Sequence, residues 1–229
     1  MKKILKKIFY SLPSSYVIMF HHIDNGGIVQ KSGCKLDYFD FIKIIESNLN
    51  FVNVPNFFKF KKDQVLITFD DGLSDVYDVA YPELKKRNIP FVLFVIYDFL
   101  NTEGYITTNQ LIEMSNDPLV TIGSHGLSHV VLKGESYNKQ FDEIIKSKFK
   151  LESLLHKKIN LFAYSHGQYD ENTIRILKEN KCYNYVFGVD GYPINFITKK
   201  WKYYLPRLNF ENGINKYFII KNKIKINVK

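Results

Sequence analysis

Cysteine is scarce in this chain. Only Cys34 and Cys182 occur among 229 residues. Two such distant thiols make no disulfide framework, and no C-x-x-C pair exists. Long apolar runs are also missing. The longest, Phe91 to Tyr97, falls far short of the roughly 20 residues a membrane-spanning helix needs. The start of the chain is basic like a signal peptide, but Ser11, Pro13, Ser14 and Ser15 break its apolar part and no A-x-A-like site follows. A cytoplasmic location is therefore expected, with peripheral contact at the inner face of the membrane as an option. Residues 1–10 would suit that contact as a short basic amphipathic helix, with Ile4, Leu5, Ile8 and Phe9 on one side. Gly-aromatic and Cys/His finger patterns are absent, so nucleic acid is not an expected partner. No repeat, low-complexity tract or Pro/Gly/Ser-rich linker divides the chain. One domain over 1–229 is expected, with a short basic segment at about 1–12 and a basic tail at about 214–229. Acid is in deficit: 23 Asp and Glu face 32 Lys and Arg, a formal charge of +9. Clusters at Lys2, Lys3, Lys6 and Lys7 and at Lys221, Lys223, Lys225 and Lys229 carry much of that excess. They suit an anionic surface or a phosphate-bearing substrate, or are simply solvated.

What is present is alternation. Strand-like runs exchange with helical patterns, which argues for βαβ units and a parallel sheet. The spacing predicts strands at Tyr16–Phe20, Phe51–Val54, Val65–Phe69, Phe91–Tyr97, Val120–Gly123, Leu161–Tyr164, Tyr185–Val189 and Lys202–Leu208. Helices are expected from Asp37 to Leu49, Leu73 to Asn88, Thr107 or Thr108 to Met114, Phe141 to Leu155, and Asp170 to about Asn180. Pro82 should break or kink the second of them. Strand after strand ends in polar residues, the layout of a barrel with its site at the C-terminal strand ends.

One stretch organises the rest. Val65-Leu66-Ile67-Thr68-Phe69 ends in Asp70-Asp71-Gly72. Two adjacent carboxylates repel, and burying one without a partner costs several kcal/mol. A division of labour resolves this: one Asp binds a cation and the other stays available as a base. The bland alternative is a helix cap. His125-Gly126-Leu127-Ser128-His129 supplies two imidazoles four apart, which on a helical turn would share a face. With Asp71 they form a one-carboxylate, two-imidazole set that leaves positions open for water and substrate, the catalytic pattern. Such ligands suit zinc and some other divalent transition metals.

Thr68-Phe69-Asp70-Asp71-Gly72 together with Ser124-His125-Gly126-Leu127-Ser128-His129 resembles the polysaccharide deacetylase family, the NodB-homology or carbohydrate esterase 4 group. The resemblance covers roughly residues 15–210. It implies a distorted (β/α)7 barrel, with Asp70 as general base and Asp71, His125 and His129 as ligands of one divalent ion, Zn2+ with Co2+ or Ni2+ as alternatives. Leu161-Phe162-Ala163-Tyr164-Ser165-His166-Gly167 resembles the family's F-A-Y-P-aromatic-G motif, with Ser165 in place of proline and His166 in place of the aromatic residue. By that likeness the His166 backbone N–H serves an oxyanion hole, and Tyr164 and His166 border the substrate. A backbone donor survives a side-chain change, while the loop's rigidity and sugar-facing surface are altered. Met19-Phe20-His21 resembles the L-x-H motif of a permuted branch that includes exopolysaccharide deacetylases, which makes His21 the general acid. His22 would face the opposite way as a structural residue. Leu205-Pro206-Arg207-Leu208 resembles the branch's late L-P-R motif, with Arg207 holding Asp70 ionised. The implied reaction is metal-dependent de-N-acetylation of an amino sugar, nucleotide-linked, lipid-linked or oligosaccharide, in surface polysaccharide or glycoconjugate biosynthesis. A sugar-binding pseudoenzyme and a deformylase or related amidohydrolase are the alternatives.

Overall fold

Side chains alternate along the strands between two hydrophobic clusters, and this alternation builds the fold. In the computed structural model, which describes residues 14–26, 34–59, 61–195 and 198–210, the strands are β1 (Tyr16–Phe20), β2 (His22–Asp24), β3 (Lys35–Asp37), β4 (Asn50–Phe51), β5 (Gln64–Phe69), β6 (Phe91–Val95), β7 (Val120–Ser124), β8 (Leu161–Ala163), β9 (Tyr185–Phe187) and β10 (Leu208–Asn209). The main sheet runs β10-β1-β5-β6-β7-β8-β9, all parallel, with β4 beside the start of β5. Its ends meet through one segment. Leu205 bridges to Phe187 of β9, and Leu208 pairs with Ile18 of β1. The sheet thus curls into the seven-stranded barrel that the family resemblance implied.

Val17, Leu66, Val92, Phe94, Leu161, Ala163, Phe187 and Leu205 pack together inside the barrel. Their neighbours Ile18, Ile67, Leu93, Phe162 and Val186 pack outward against the helices. Each fully buried Val, Leu, Ile or Phe among them contributes about 1.5–3 kcal/mol. The interior is tight. A Cβ at Gly123 would lie 2.4 Å from the Phe94 ring, so this position of β7 must be glycine. The same period of two, continued past the strand ends, brings His21, Asp70, His125 and Arg207 to the interior side.

The helices are α1 (Tyr38–Ile45), α2 (Val54–Phe57), α3 (Tyr81–Lys86), α4 (Thr108–Asn116), α5 (Tyr137–Phe141), α6 (Ser147–Leu155) and α7 (Glu171–Asn180). Asp37 and Asp170 cap α1 and α7 through their side chains at the starts the sequence indicated, and of the two alternatives Thr107 and Thr108 it is Thr107 that caps α4. Elsewhere the expectations shift. Of the Phe51–Val54 strand only Phe51 pairs, because Asn53 caps α2 and starts a helix. The helix expected from Phe141 begins earlier, at Tyr137, where Ser136 is the cap, and passes through a π-helical turn at Asp142–Lys146 into α6. Pro82 breaks nothing. A π turn at Val76–Ala80 precedes it, and the wider turn carries the helix past a residue with no N–H. Lys202–Leu208 is no continuous strand: pairing there is confined to Leu205 and to β10. β2 and β3, a two-stranded parallel sheet of their own, had no strong pattern to announce them. The expected basic N-terminal segment and C-terminal tail lie outside the described residues.

Candidate active site and metal centre

Asp70 is buried at the end of β5 and fully engaged. Arg207 Nη1 donates to its Oδ1 at 2.6 Å, and Nη2 donates to Oδ2 at 2.7 Å. The guanidinium is itself fully buried, lying 5.3 Å over the Phe94 ring, with Nε bonded to the Gly188 carbonyl at 3.0 Å and Nη1 reaching Thr68 Oγ1 at 3.2 Å. Burial would raise the Asp70 carboxyl, but the Arg207 charge and hydrogen bonds outweigh it and hold the group far below the usual carboxylate range. Asp70 is therefore ionised and locked in orientation.

Asp71 is thrown to a different side because its backbone is left-handed, with φ 73°, and Gly72 follows at φ 78°. Asp71 Oδ1 lies 3.4 Å from His125 Nε2 and 3.4 Å from His129 Nε2. These three atoms sit within 4.8 Å of one another, while Asp71 Oδ1 is buried with no hydrogen-bond partner among the described residues. A buried, bare carboxylate oxygen facing two imidazole nitrogens fits a divalent cation and little else. The tautomer suits it too. His125 Nδ1 donates to the Ala163 carbonyl at 2.9 Å, which leaves the Nε2 lone pair facing Asp71. Burial pushes the Asp71 carboxyl up to about 6 and pulls His125 down to about 3. Burial, with the His166 charge second, pulls His129 down to about 4. Both imidazoles are thus neutral, the ligating form, well below pH 6.

The two histidines do not share a helical turn. They stand on a loop in which Gly126 has φ 91° and His129 φ 59°, and their rings are 5.1 Å apart. What shapes that loop was missed in the sequence. Glu143, buried on the π turn before α6, accepts from Leu127 N–H at 2.7 Å, Ser128 N–H at 3.0 Å and Ser128 Oγ at 2.5 Å, and pairs with Lys139 Nζ at 2.9 Å. A glutamate one place before the buried Ile144 was the available signal. Gln at this position keeps the size but turns an N–H toward the loop's donors. Glu143→Gln is expected to cost about 1–3 kcal/mol, read as a Tm several degrees lower, with weaker zinc retention in calorimetry.

The departures in the third motif face the same loop. Ser165, where the family has proline, donates from Oγ to the His125 carbonyl at 2.9 Å. His166 is exposed, has φ 56°, and lays its ring 4.4 Å from that of His129, with Nε2 3.2 Å from the His129 carbonyl. Its neighbours Gly167 and Gln168 use their N–H groups on Tyr164 and Ser165 carbonyls. Tyr164 itself does not border an open site. It is wholly buried, its hydroxyl donates to the Tyr203 carbonyl at 2.7 Å, and its ring stacks 4.8 Å from Tyr169. Inward parity at Leu161 and Ala163 sends Tyr164 outward into the helix-facing layer. His21 lies within electrostatic reach of Asp70, Asp71, Arg207 and His129, and burial lowers its pKa. His22 faces the other way, with Nδ1 3.1 Å from Asp75 Oδ2. Asp71, His129 and His166 are all non-glycine residues with positive φ, a clustering of strain of the kind that functional sites hold.

The sequence profile of the polysaccharide deacetylase family matches residues 59–185. A poly-β-1,6-N-acetyl-D-glucosamine N-deacetylase of Staphylococcus epidermidis is 31% identical over 135 residues, covering 53% of this chain and 47% of that protein. The protein of the same name from Staphylococcus aureus is 28% identical over 163 residues, covering 66% and 55%. The chain spans about half the length of the curated relatives it matches. Among solved structures, IcaB from Ammonifex degensii matches with a TM-score of 0.77 at 21% identity, over 93% of this chain and 98% of that one. Streptococcus pyogenes deacetylase PplD matches with a TM-score of 0.76 at 20% identity, over 88% and 94%. The matched profile begins before β5 and ends at the start of β9, so it takes in Asp70, Asp71, His125 and His129 together: the chain belongs to the polysaccharide deacetylase family.

Proposed function

We propose that this protein is a metal-dependent de-N-acetylase that hydrolyses the N-acetyl group of an amino sugar. The observation that carries the reading is the convergence of Asp71 Oδ1, His125 Nε2 and His129 Nε2 beside an ionised, Arg207-bound Asp70. Asp71, His125 and His129 would hold the ion, with zinc, cobalt or nickel fitting the donor set. When bound there, such an ion polarises an acyl carbonyl and acidifies a water. Asp70 Oδ2, 3.8 Å from His125 Nε2 on the ligand side, takes the proton from the attacking water. Arg207 holds that carboxylate in place without occupying the ligand side. The His166 backbone N–H donates to the oxygen that gains charge as the carbonyl becomes tetrahedral. His21 gives a proton to the departing amine.

The substrate class follows from the named activity of the staphylococcal relatives: an oligosaccharide or polymer containing N-acetylglucosamine. A nucleotide-linked or lipid-linked sugar is the second class to test. The experiment is acetate release across β-1,6-linked N-acetylglucosamine oligomers, nucleotide sugars and polymer, with zinc, cobalt and nickel added in turn. Acetate from one class is expected. Formate release instead would make the enzyme a deformylase. Sugar binding with no release under any metal would sink the enzymatic reading. Asp70→Asn is expected to lower kcat by about 10²–10⁴-fold while zinc binding persists, and full activity in that variant would remove Asp70 as the base.

A further inference from the structure

His21 occupies a one-residue gap between strands of two different sheets. β1 ends at Phe20 in the barrel, and β2 begins at His22 in the pair with β3. Such a junction has soft dihedrals on both sides, so its direction must be set by what grips its flanks. On one flank the Phe20 carbonyl accepts the Asp70 N–H at 2.9 Å. On the other flank the His22 N–H donates to the Cys34 carbonyl at 3.3 Å. Asp75 Oδ2 accepts from Ile23 N–H at 2.6 Å and lies 3.1 Å from His22 Nδ1.

This grip is costly in itself. Asp75 Oδ1 and His22 Nε2 are both buried with no hydrogen-bond partner among the described residues. Two apolar side chains would fill the same space and bare only the Ile23 N–H, which needs a single acceptor. Satisfying that one donor gives no reason for a second, buried contact between Asp75 and His22. Its geometric effect is specific: Asp75 ties the strand just after His21 to the same short segment that carries Asp70 and Asp71.

We infer that Asp75 is a positioning residue for proton donation, fixing through His22 and Ile23 the junction that aims His21 at the leaving amine. The inference rests on the deacetylase reading above. Its test uses a leaving-group comparison in the full chain loaded with zinc. An N-acetylglucosamine oligomer needs its amine protonated; p-nitrophenyl acetate does not, because its phenolate leaves unaided. Asp75→Ala is expected to lower kcat on the oligomer by about 10–100-fold, with KM and ester turnover each within about threefold of wild type. Asp75→Asn keeps one acceptor for Ile23 N–H, so a smaller loss with the same selectivity is expected. It also decides the matter if the Ala variant fails to fold. Parallel loss on amide and ester, or no loss on either, would overturn the role. Wild type that cleaves the ester but not the oligomer would overturn the activity reading first, and that outcome is read without any variant.

Discussion

Replacing Arg207 with Met should destabilise the protein by about 3–5 kcal/mol, because it strands the Asp70 carboxylate in the barrel interior without its partner. Asp70 is 2% exposed and Arg207 0%, so no solvent can replace the lost guanidinium. The Gly188 carbonyl also loses its Nε donor. A fall in Tm of about 6–20 °C is the expected reading for a chain of this size. Activity should fall with it, by at least about 100-fold. Without the guanidinium, burial raises the carboxyl, and the base is no longer held in orientation.

The pH dependence gives this prediction a sign. In the wild type the folded Asp70 sits well below its unfolded value near 3.9. Its contribution to stability is present above that unfolded value and is lost as pH falls below it. In Arg207→Met the folded carboxyl lies above the unfolded value, so its contribution is full at low pH and is lost as pH rises. The stability gap between the two proteins is therefore widest at pH 7 and closes toward pH 3. Denaturant unfolding at several pH values measures it, and a gap that stays constant would remove the ion pair as its cause.

Asp71→Asn should abolish tight zinc binding. Loss of an outer partner of a ligand already costs about 10–100-fold in affinity, and Asn removes a ligand charge outright, so at least 100-fold is expected. The wild type should show an unusual pH profile in the same calorimetric titration. Burial lifts the metal-free Asp71 carboxyl to about 6, while His125 and His129 are pulled down to about 3 and 4. A proton on Asp71 blocks the ligand. Affinity should therefore fall by about tenfold per unit below pH 6 and more steeply below about pH 4, where His129 begins to charge. In Asp71→Asn the upper limb, between pH 6 and 4, should vanish. A profile in the variant identical to wild type would assign that limb to another group.

Much of the site could be read in one dimension. The apolar run of β5 ending in Asp70-Asp71-Gly72, the His125 and His129 spacing, the strand-end position of His21 and the Leu205-Pro206-Arg207 motif are local patterns. A period of two is enough to send Asp70 inward and to set His21 and His22 on opposite faces. Caps at Asp37, Thr107 and Asp170 were legible for the same reason, since a cap acts within a few residues.

Tertiary structure decided what those patterns touch. The Asp70–Arg207 pair joins residues 137 apart, and only closure of the barrel at Leu205–Asn209 brings them together. The His125–His129 spacing suggested a helical turn, but Gly126 and His129 take left-handed backbone, and Glu143 from a distant π turn holds the loop open. Tyr164 looked like a border of the site, and strand parity buried it instead. Ser165 and His166 read in the sequence as departures that alter the loop's rigidity and surface; the fold showed what they touch, since both are bonded to the loop that carries the histidines. The sequence by itself determined which groups could do chemistry and at which strand ends they stand, because backbone alternation is local. Which carboxylate is held by a cation and which is left facing two imidazoles was decided by the fold, because burial and partnership are properties of the closed barrel.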